Sequence, residues 1–382
     1  MLTDEQIAQA LELIDSRYQK VVQKYLRKVG ATVLKIGKLN RSSVNLLIQL
    51  RRMGVDVATI EHELQRVTRL TKRDLRTLYQ KAAEEAHTDA RFEYVTKGVE
   101  PSEVRWEALV ENLWQQTAGN LENLSRTTIM GESYRRIVDE AVQAVTMGVT
   151  DYNSAIRAEL KKAGRAGVQV KYASGVRRRL DTAIRQNVLD GVRQVQQKAQ
   201  ELIGEEIGAD GVDITAHPSS APDHEPVQGR RFDLENFRAM QAGQDFQDVD
   251  GRRYEGFRRP ITQWRCRHLV YYIIIGVSRR MYSDDQLQKW QKENQKGVSI
   301  AGRKFTNYEA TQLMRQLETE IRREKDTAIL AQASGDDVLR RECQGRITNL
   351  EKQYKAVAEA VKLRTRFDKT RVEGFKPVEM EE

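Results

Sequence analysis

The sequence predicts a mostly α-helical protein with a smaller α+β domain. Strong helix formers dominate the 382 residues, and only six prolines interrupt them. Apolar residues recur every three or four positions over long stretches, and alternating strand-like segments are confined to the middle of the chain. We therefore expect a helical N-terminal region over residues 1–165, an α+β domain over 166–300, and a C-terminal helical hairpin and tail over 301–382.

The N-terminal region begins with the clearest helical pattern. Thr3 and Gln6 are spaced as a capping box, which marks a helix start. Spacings of four and three residues then separate the apolar positions Ile7, Leu11, Ile14, Tyr18, Val21 and Tyr25. Beyond this helix we predict a short one ending at Gly54, another ending at Leu70, and a restart at Thr71. Residues 1–165 are expected to contain only helices and turns.

The middle region combines strands with one long helix. Residues 168–172 alternate as a half-buried strand does, and residues 212–215 predict a second strand. Between them we expect a long helix that begins at Gly175. Its apolar face would consist of Val176, Leu180, Ile184, Val188, Val192, Val195 and Leu202.

The C-terminal region returns to helical periodicity. Thr306 and Glu309 form a second capping-box pattern, and residues 334–337 (Ser-Gly-Asp-Asp) predict a turn. The returning helix repeats apolar residues at the spacing of a helical hairpin or coiled coil: Cys343, Ile347, Leu350, Tyr354, Val357 and Val361.

The positive charge is concentrated in one segment. The chain carries a formal net charge of +9, and residues 251–304 hold thirteen Lys or Arg against four Asp or Glu. Arginines with aromatic residues between them suit phosphates and stacked bases, although an acidic protein surface or solvent fits the charge equally well. No base-reading motif is present, so any DNA contact should be non-specific. The candidate binding residues are Arg252, Arg253, Arg258, Arg259, Arg265, Arg267, Arg279 and Arg280.

Histidine and cysteine residues cluster in the same region. Neutral imidazole and thiolate are the ligands that zinc selects, and four of them can form a tetrahedral shell. The candidate metal ligands are His217, His224, Cys266 and His268. Asp223 or Glu225 could complete a shell instead of one of these. The alternative is that the four residues form hydrogen bonds in a loop-rich core stiffened by nearby prolines.

Common enzyme signatures are absent. The sequence contains no GxxxxGK[ST] phosphate loop, no HExxH motif and no zinc-deaminase pattern, so we expect no catalytic residues and no enzymatic activity. Two cysteines cannot form a disulfide framework, which is typical of proteins that fold in a reducing compartment. The longest apolar run, residues 269–277, is less than half of the roughly 20 residues that a membrane-spanning helix needs.

Several motifs together resemble a known family. They are Tyr172-Ala-Ser-Gly175, Ala183-Ile-Arg185, Ala216-His217, Asp223-His224, Gln228-Gly229, Cys266-Arg-His268, Gly276-Val-Ser278, Tyr308-Glu-Ala310 and Leu317-Glu-Thr-Glu-Ile-Arg322. With them the chain resembles, over most of its length, the phage minor capsid protein 2 family, which is similar to Mu F-type head morphogenesis proteins. It departs from the family pattern at residues 220–222, at Val227 and at Trp264, while all four candidate ligands are kept.

The resemblance implies a low-copy structural protein of a tailed-phage head. Such a protein is made in the host bacterial cytoplasm, is associated with the portal and the capsid interior of the virion, and acts in head morphogenesis or DNA passage. Its expected partners are the portal, other head proteins and, non-specifically, packaged DNA. No cofactor is expected, with zinc as the one candidate. The alternatives are a non-specific DNA-binding protein outside the virion and a zinc-dependent hydrolase.

Overall fold

Helices dominate the structure, a computed structural model that describes residues 4–37, 57–147, 152–256, 259–262 and 266–378. The predicted fold class, mostly α with a smaller α+β part, is confirmed. Within the described residues the twelve helices are α1 (Asp4–Gly37), α2 (Ala58–Asp89), α3 (Arg91–Lys97), α4 (Glu103–Arg126), α5 (Gly131–Thr146), α6 (Tyr152–Ala166), α7 (Leu180–Ile207), α8 (Leu234–Gln241), α9 (Asp284–Lys296), α10 (Asn307–Ser334), α11 (Asp337–Ala360) and α12 (Phe367–Thr370). None of these helices is both long and apolar enough to span a bilayer.

The strands of the same residues form four small antiparallel sheets. They are β1 (Thr128–Ile129), β2 (Gln169–Lys171), β3 (Arg177–Arg179), β4 (Gly211–Ile214), β5 (Arg231–Asp233), β6 (Phe246–Gln247), β7 (Arg253–Tyr254), β8 (Val270–Ile273), β9 (Val298–Ile300) and β10 (Arg303–Phe305). Two sheets have three strands, in the orders β1-β2-β3 and β5-β4-β8, and the other two are the pairs β6-β7 and β9-β10. The β5-β4-β8 sheet carries the candidate site.

The chain divides into two compact units, each assembled from three segments. Unit 1 comprises Met1–Ala10, Lys72–Ala118 and Val188–Gln312, and unit 2 comprises Leu11–Thr71, Gly119–Asn187 and Leu313–Glu382. This grouping follows contacts in space. The three-part division along the sequence, with boundaries after residues 165 and 300, stays a prediction.

The apolar face predicted for α1 is buried. The residues from Ile7 to Tyr25 that define it are each at most 7% exposed, because their three- and four-residue spacing places them on one side of the helix. The capping box at Thr3 and the short helix predicted to end at Gly54 lie outside the described residues.

Helix α2 corrects the predicted break at Leu70 and Thr71. It runs without interruption from Ala58 to Asp89, and the Thr71 hydroxyl donates a hydrogen bond to the Val67 carbonyl 2.9 Å away, one turn earlier. A threonine that bonds back within its own helix can remain in the helix interior. One long helix therefore replaces the two predicted short ones.

Strand pairing produces two further corrections. Arg177–Arg179 forms β3 against β2, so the long helix α7 begins at Leu180 and not at Gly175. Thr128 and Ile129 form β1 against β2, although residues 1–165 were expected to contain only helices and turns. In both cases cross-strand hydrogen bonds, from a distant segment for β1 and from the preceding strand for β3, outweigh local helix propensity. The strands predicted at 168–172 and 212–215 are confirmed as β2 and β4 within a residue or two.

The C-terminal helical hairpin is confirmed. Helix α10 ends at Ser334 and α11 begins at Asp337, as the turn pattern predicts. The Tyr354 hydroxyl donates to Glu318 over 2.8 Å, and an ion pair of 3.5 Å joins Arg346 to Glu324. The first contact joins the early part of α10 to the late part of α11, and the second lies nearer the turn. The two helices therefore run antiparallel.

The predicted capping box at the start of α10 is also confirmed. The Thr306 backbone N–H donates to the Glu309 carboxylate over 2.8 Å, and the Glu309 N–H donates to the Thr306 hydroxyl over 3.1 Å. This reciprocal pair satisfies backbone donors that have no partner within the helix itself.

Candidate metal centre and basic surface

The pairing of β4 with β8 brings the histidine loop and the cysteine segment together. In this antiparallel pair Ile214 lies opposite Val270, so the chain leaving β4 and the chain entering β8 are neighbours. The pairing extends past the strand end, because Thr215 donates from its backbone to the Leu269 carbonyl over 2.9 Å and accepts from the Leu269 N–H over 2.8 Å. Residues about 50 positions apart in sequence thus share one end of the sheet.

Three of the four candidate ligands converge at this place. Cys266 Sγ lies 3.4 Å from His224 Nδ1 and 3.2 Å from His268 Nδ1. The three ligand atoms are all within 4.8 Å of one another, and all three residues are buried. The two imidazole nitrogens and the sulfur therefore face a common point.

A hydrogen bond to the far side of the ring fixes the tautomer of His224. His224 Nε2 lies 2.7 Å from the carbonyl oxygen of Arg259, and a carbonyl can only accept, so Nε2 carries the proton. Nδ1 then holds a lone pair and is directed to the sulfur. The Arg259 guanidinium is bound to Asp223 by two hydrogen bonds of 2.9 and 2.6 Å, and its Nη2 lies 3.5 Å from His224 Nδ1.

Gln228 fixes the tautomer of His268 in the same way. Gln228 Oε1 accepts from the His217 backbone N–H over 3.0 Å, which identifies that atom as the oxygen of the amide. His268 Nε2 lies 3.3 Å from this oxygen, which can only accept, and 3.4 Å from the Ser220 hydroxyl, which can also accept, so the proton is placed on Nε2. His268 Nδ1 is therefore also a lone pair that faces Cys266. Both imidazoles are oriented by outer hydrogen bonds, as is typical of metal-ligating histidines.

Burial controls the protonation of the three groups. Desolvation lowers the pKa of His224, and desolvation, reinforced by the neighbouring imidazoles of His217 and His224, lowers the pKa of His268 to about 2. Both imidazoles are consequently neutral at pH 7. Desolvation raises the pKa of the Cys266 thiol, while backbone hydrogen bonds from Thr262 and His268 favour the thiolate.

His217 lies beside the cluster and not within it. Its ring stacks on that of His268 with 4.7 Å between centroids, and its Nδ1 is 3.2 Å from the Pro218 carbonyl oxygen. The group whose ligand atoms converge consists of His224, Cys266 and His268. Of the four residues singled out from the sequence, the structure thus assembles three as candidate ligands and places the fourth against one of them.

Three supporting residues, Asn294, Arg193 and Gln228, were not singled out from the sequence as site residues. Asn294 on α9 donates to the Glu225 carboxylate over 2.6 Å and accepts from the Tyr308 N–H over 3.0 Å, which ties the histidine loop to the start of α10. Arg193 on α7 donates to the Cys266 carbonyl over 2.7 Å. Of the supporting residues only Gln228 carried a signal, since it belongs to a motif that resembles the family.

The basic segment is partly neutralised by ion pairs. Arg252 pairs with Asp248 at 3.2 Å and Asp250 at 3.3 Å, and Arg280 pairs with Asp250 at 2.6 Å. Arg252 and Arg280 also approach Asp284, at 3.4 and 3.9 Å. Two of these three carboxylates precede residue 251, so acidic residues just outside the basic segment offset part of its charge.

The other candidate arginines differ in their surroundings. Arg253 and Arg279 are exposed, and Arg279 lies over the Phe92 ring with 5.8 Å to its centroid. Arg267 is exposed as well. Arg258 and Arg265 fall outside the described residues.

The fold and the site define a helix-rich protein whose small β5-β4-β8 sheet holds a buried His-Cys-His cluster. A family model described as Phage minor capsid protein 2 matches residues 2–359, and the chain belongs to that family. It is accordingly a structural protein of a phage head, located in the virion. No curated protein and no solved structure matches the chain significantly.

Proposed function

We propose that this minor capsid protein acts at the portal vertex and the capsid interior, in head morphogenesis or in the passage of DNA. The observation that carries the proposal is the family match, which includes the helical segments and the small sheet alike. Long helices provide extended surfaces for contacts with other head proteins.

An apolar face on and after α3 supports contact with another protein. Phe92 and Val95 are 49% and 73% exposed, and their spacing of three residues places them on one side of α3, while Val99, 36% exposed, follows just after the helix. Apolar side chains grouped on a surface are typical of protein interaction sites. The proposed partner of this face is the portal or a neighbouring head protein.

Quantitative mass spectrometry of purified particles tests the location. A copy number comparable to that of the portal, together with cross-links to the portal, is the expected result. Absence from mature particles would overturn the virion role and favour the alternative of a free DNA-binding protein.

A charge at Val95 tests the apolar face. V95D should weaken incorporation into particles about thirtyfold, because an interface anchor contributes about 2 kcal/mol. V338D is the matched control, since Val338 is 46% exposed on α11, away from this face in sequence. Equal incorporation of V95D and V338D would contradict the assignment.

We further propose that the role is structural and not catalytic. His224 is 0% exposed, and Cys266 and His268 are each 3% exposed, so a substrate has no access to the three groups. This burial supports the structural role over the alternative of a zinc-dependent hydrolase.

Non-specific contact with packaged DNA is a second part of the proposal, supported by the exposed Arg253 and Arg279. Each arginine that contacts a phosphate steepens the salt dependence of binding by about one unit of slope, so R253A/R279A should reduce the slope by about two. R252A is the control, because the carboxylates of Asp248 and Asp250 already compensate its charge. Fluorescence anisotropy on duplex DNA over a salt series measures the slopes, and identical slopes for all variants would exclude this surface as the DNA contact.

A further inference from the structure

We propose that His224, Cys266 and His268 bind one Zn²⁺ through Nδ1, Sγ and Nδ1. The site goes beyond the head role inferred above and does not depend on it. Three observations support the site: the chemistry of the donors, their spacing, and the hydrogen bonds made by the Nε2 atoms of both histidines.

The donor set is one that zinc prefers. A thiolate and two neutral imidazoles are soft or borderline ligands, which select zinc over magnesium or calcium. No oxygen donor takes part in the group of three. In the reducing cytoplasm where such a chain folds, zinc is the metal that suits this set without redox chemistry.

The spacing of the donors agrees with a tetrahedral ion. With Zn–S near 2.3 Å and Zn–N near 2.0–2.1 Å, tetrahedral angles place sulfur and nitrogen ligands about 3.5 Å apart. The sulfur is 3.4 Å from one Nδ1 and 3.2 Å from the other. Both sulfur–nitrogen distances therefore suit a tetrahedral ion, and the two nitrogens lie within 4.8 Å of each other.

The orientation of the rings supplies an independent argument. Both Nε2 atoms are committed to acceptors, the Arg259 carbonyl for His224 and the Gln228 amide oxygen for His268. Both lone pairs are thereby directed to the same sulfur. The fourth position of the tetrahedron would be taken by a single enclosed water molecule, since the burial of all three ligands keeps bulk solvent and substrates out. The ion would join the loop after β4 to the segment before β8.

Cobalt provides the direct test, since tetrahedral Co²⁺ bound to a thiolate gives an intense charge-transfer band that zinc does not show. The full-length protein is stripped with a chelator, reloaded with Co²⁺ and titrated with Zn²⁺. We expect about one metal per chain, a thiolate charge-transfer band that zinc abolishes, and a Tm that rises by about 5–10 °C on zinc loading.

Two cysteine variants form a matched pair for this test. C266S should lose the charge-transfer band, whereas C343S should keep it, because Cys343 is buried on α11 in the other unit. H217A should retain one metal per chain, since His217 lies outside the converging group. Loss of the metal in H217A would overturn the three-residue assignment.

The wild-type protein decides the outcome even where C266S fails to fold. A metal content below about 0.2 per chain after loading, with a Tm that zinc and chelator leave unchanged, would overturn the proposal. Incorporation of the zinc-free protein into particles would show that the failure concerns the metal site alone, because the virion assignment does not depend on the metal.

Discussion

Loss of the charge of Arg179 should strongly destabilise unit 2. Its guanidinium lies between two buried carboxylates, donating from Nε to Asp181 Oδ1 over 3.1 Å and from Nη2 to Asp326. The side chains of Asp181 and Asp326 are 5% and 3% exposed. R179M keeps most of the apolar volume of the side chain and removes the charge from both partners.

The structure sets the magnitude of this effect. After the substitution Asp181 keeps Arg322 at 3.4 Å, whereas Asp326 keeps the neutral amide of Gln23, at 2.6 Å. Breaking a buried ion pair by removing one member costs about 3–5 kcal/mol, because the other charge stays buried without compensation. At about 2–4 °C per kcal/mol, Tm should fall by roughly 6–20 °C.

Urea and thermal unfolding, followed by circular dichroism, measure the effect. R178M is the control: Arg178 is the neighbouring residue of β3, is exposed, and interacts with the Tyr172 ring at 5.7 Å, which is worth about 0.5–1 kcal/mol. Adding D326N to R179M should recover part of the stability, since it removes the uncompensated carboxylate. The explanation by a buried charge is wrong if R179M lowers the free energy of unfolding no more than R178M does. It is also wrong if adding D326N to R179M lowers the free energy of unfolding further.

Two further predictions concern stability. G191A should destabilise the protein by about 2–3 kcal/mol, since a Cβ at Gly191 would lie 1.8 Å from the buried Tyr79 hydroxyl. G119A should stabilise it by about 0.5–1 kcal/mol, because its Cβ meets open space within α4. Equal unfolding free energies of the two variants in urea would contradict the packing argument. Although burial acts to raise the pKa of Asp181, Arg179 and Arg322 hold it below its usual value, so its stabilising contribution is present above pH of about 4 and is lost as pH falls further. The difference in unfolding free energy between wild type and D181N should therefore be larger at pH 6 than at pH 3, and a difference that grows on acidification would refute the sign.

The long helices could be predicted from the sequence because their determinants are local. The spacing of apolar residues in α1 and in the C-terminal hairpin follows the helical period, and the capping box at Thr306 needs only residues three positions apart. The errors arose where strand pairing decided the structure. Arg177–Arg179 is a strand because it pairs with β2 across a short turn, although the three residues also match the beginning of the helical pattern of α7.

In the candidate site, too, the sequence supplied the residue types and the tertiary structure supplied the arrangement. Residue chemistry alone singled out His217, His224, Cys266 and His268, because imidazole and thiol groups are rare in this chain. The register of β4 with β8 decided that His224, Cys266 and His268 converge and that His217 stacks alongside. No sequence pattern encodes which ring nitrogen carries the proton, since the partners that fix it, Arg259 and Gln228, act through space.

The sequence by itself determined the helical periodicity, the residue types of the candidate metal centre and the excess of positive charge, since these properties depend on composition and short-range spacing. Only the tertiary structure decided that α2 is continuous, that His224, Cys266 and His268 lie together, and that Arg252 and Arg280 are paired with acidic residues from outside the basic segment. The physical reason is that hydrogen bonds, ion pairs and metal coordination act over a few ångströms, and folding brings distant residues within that range.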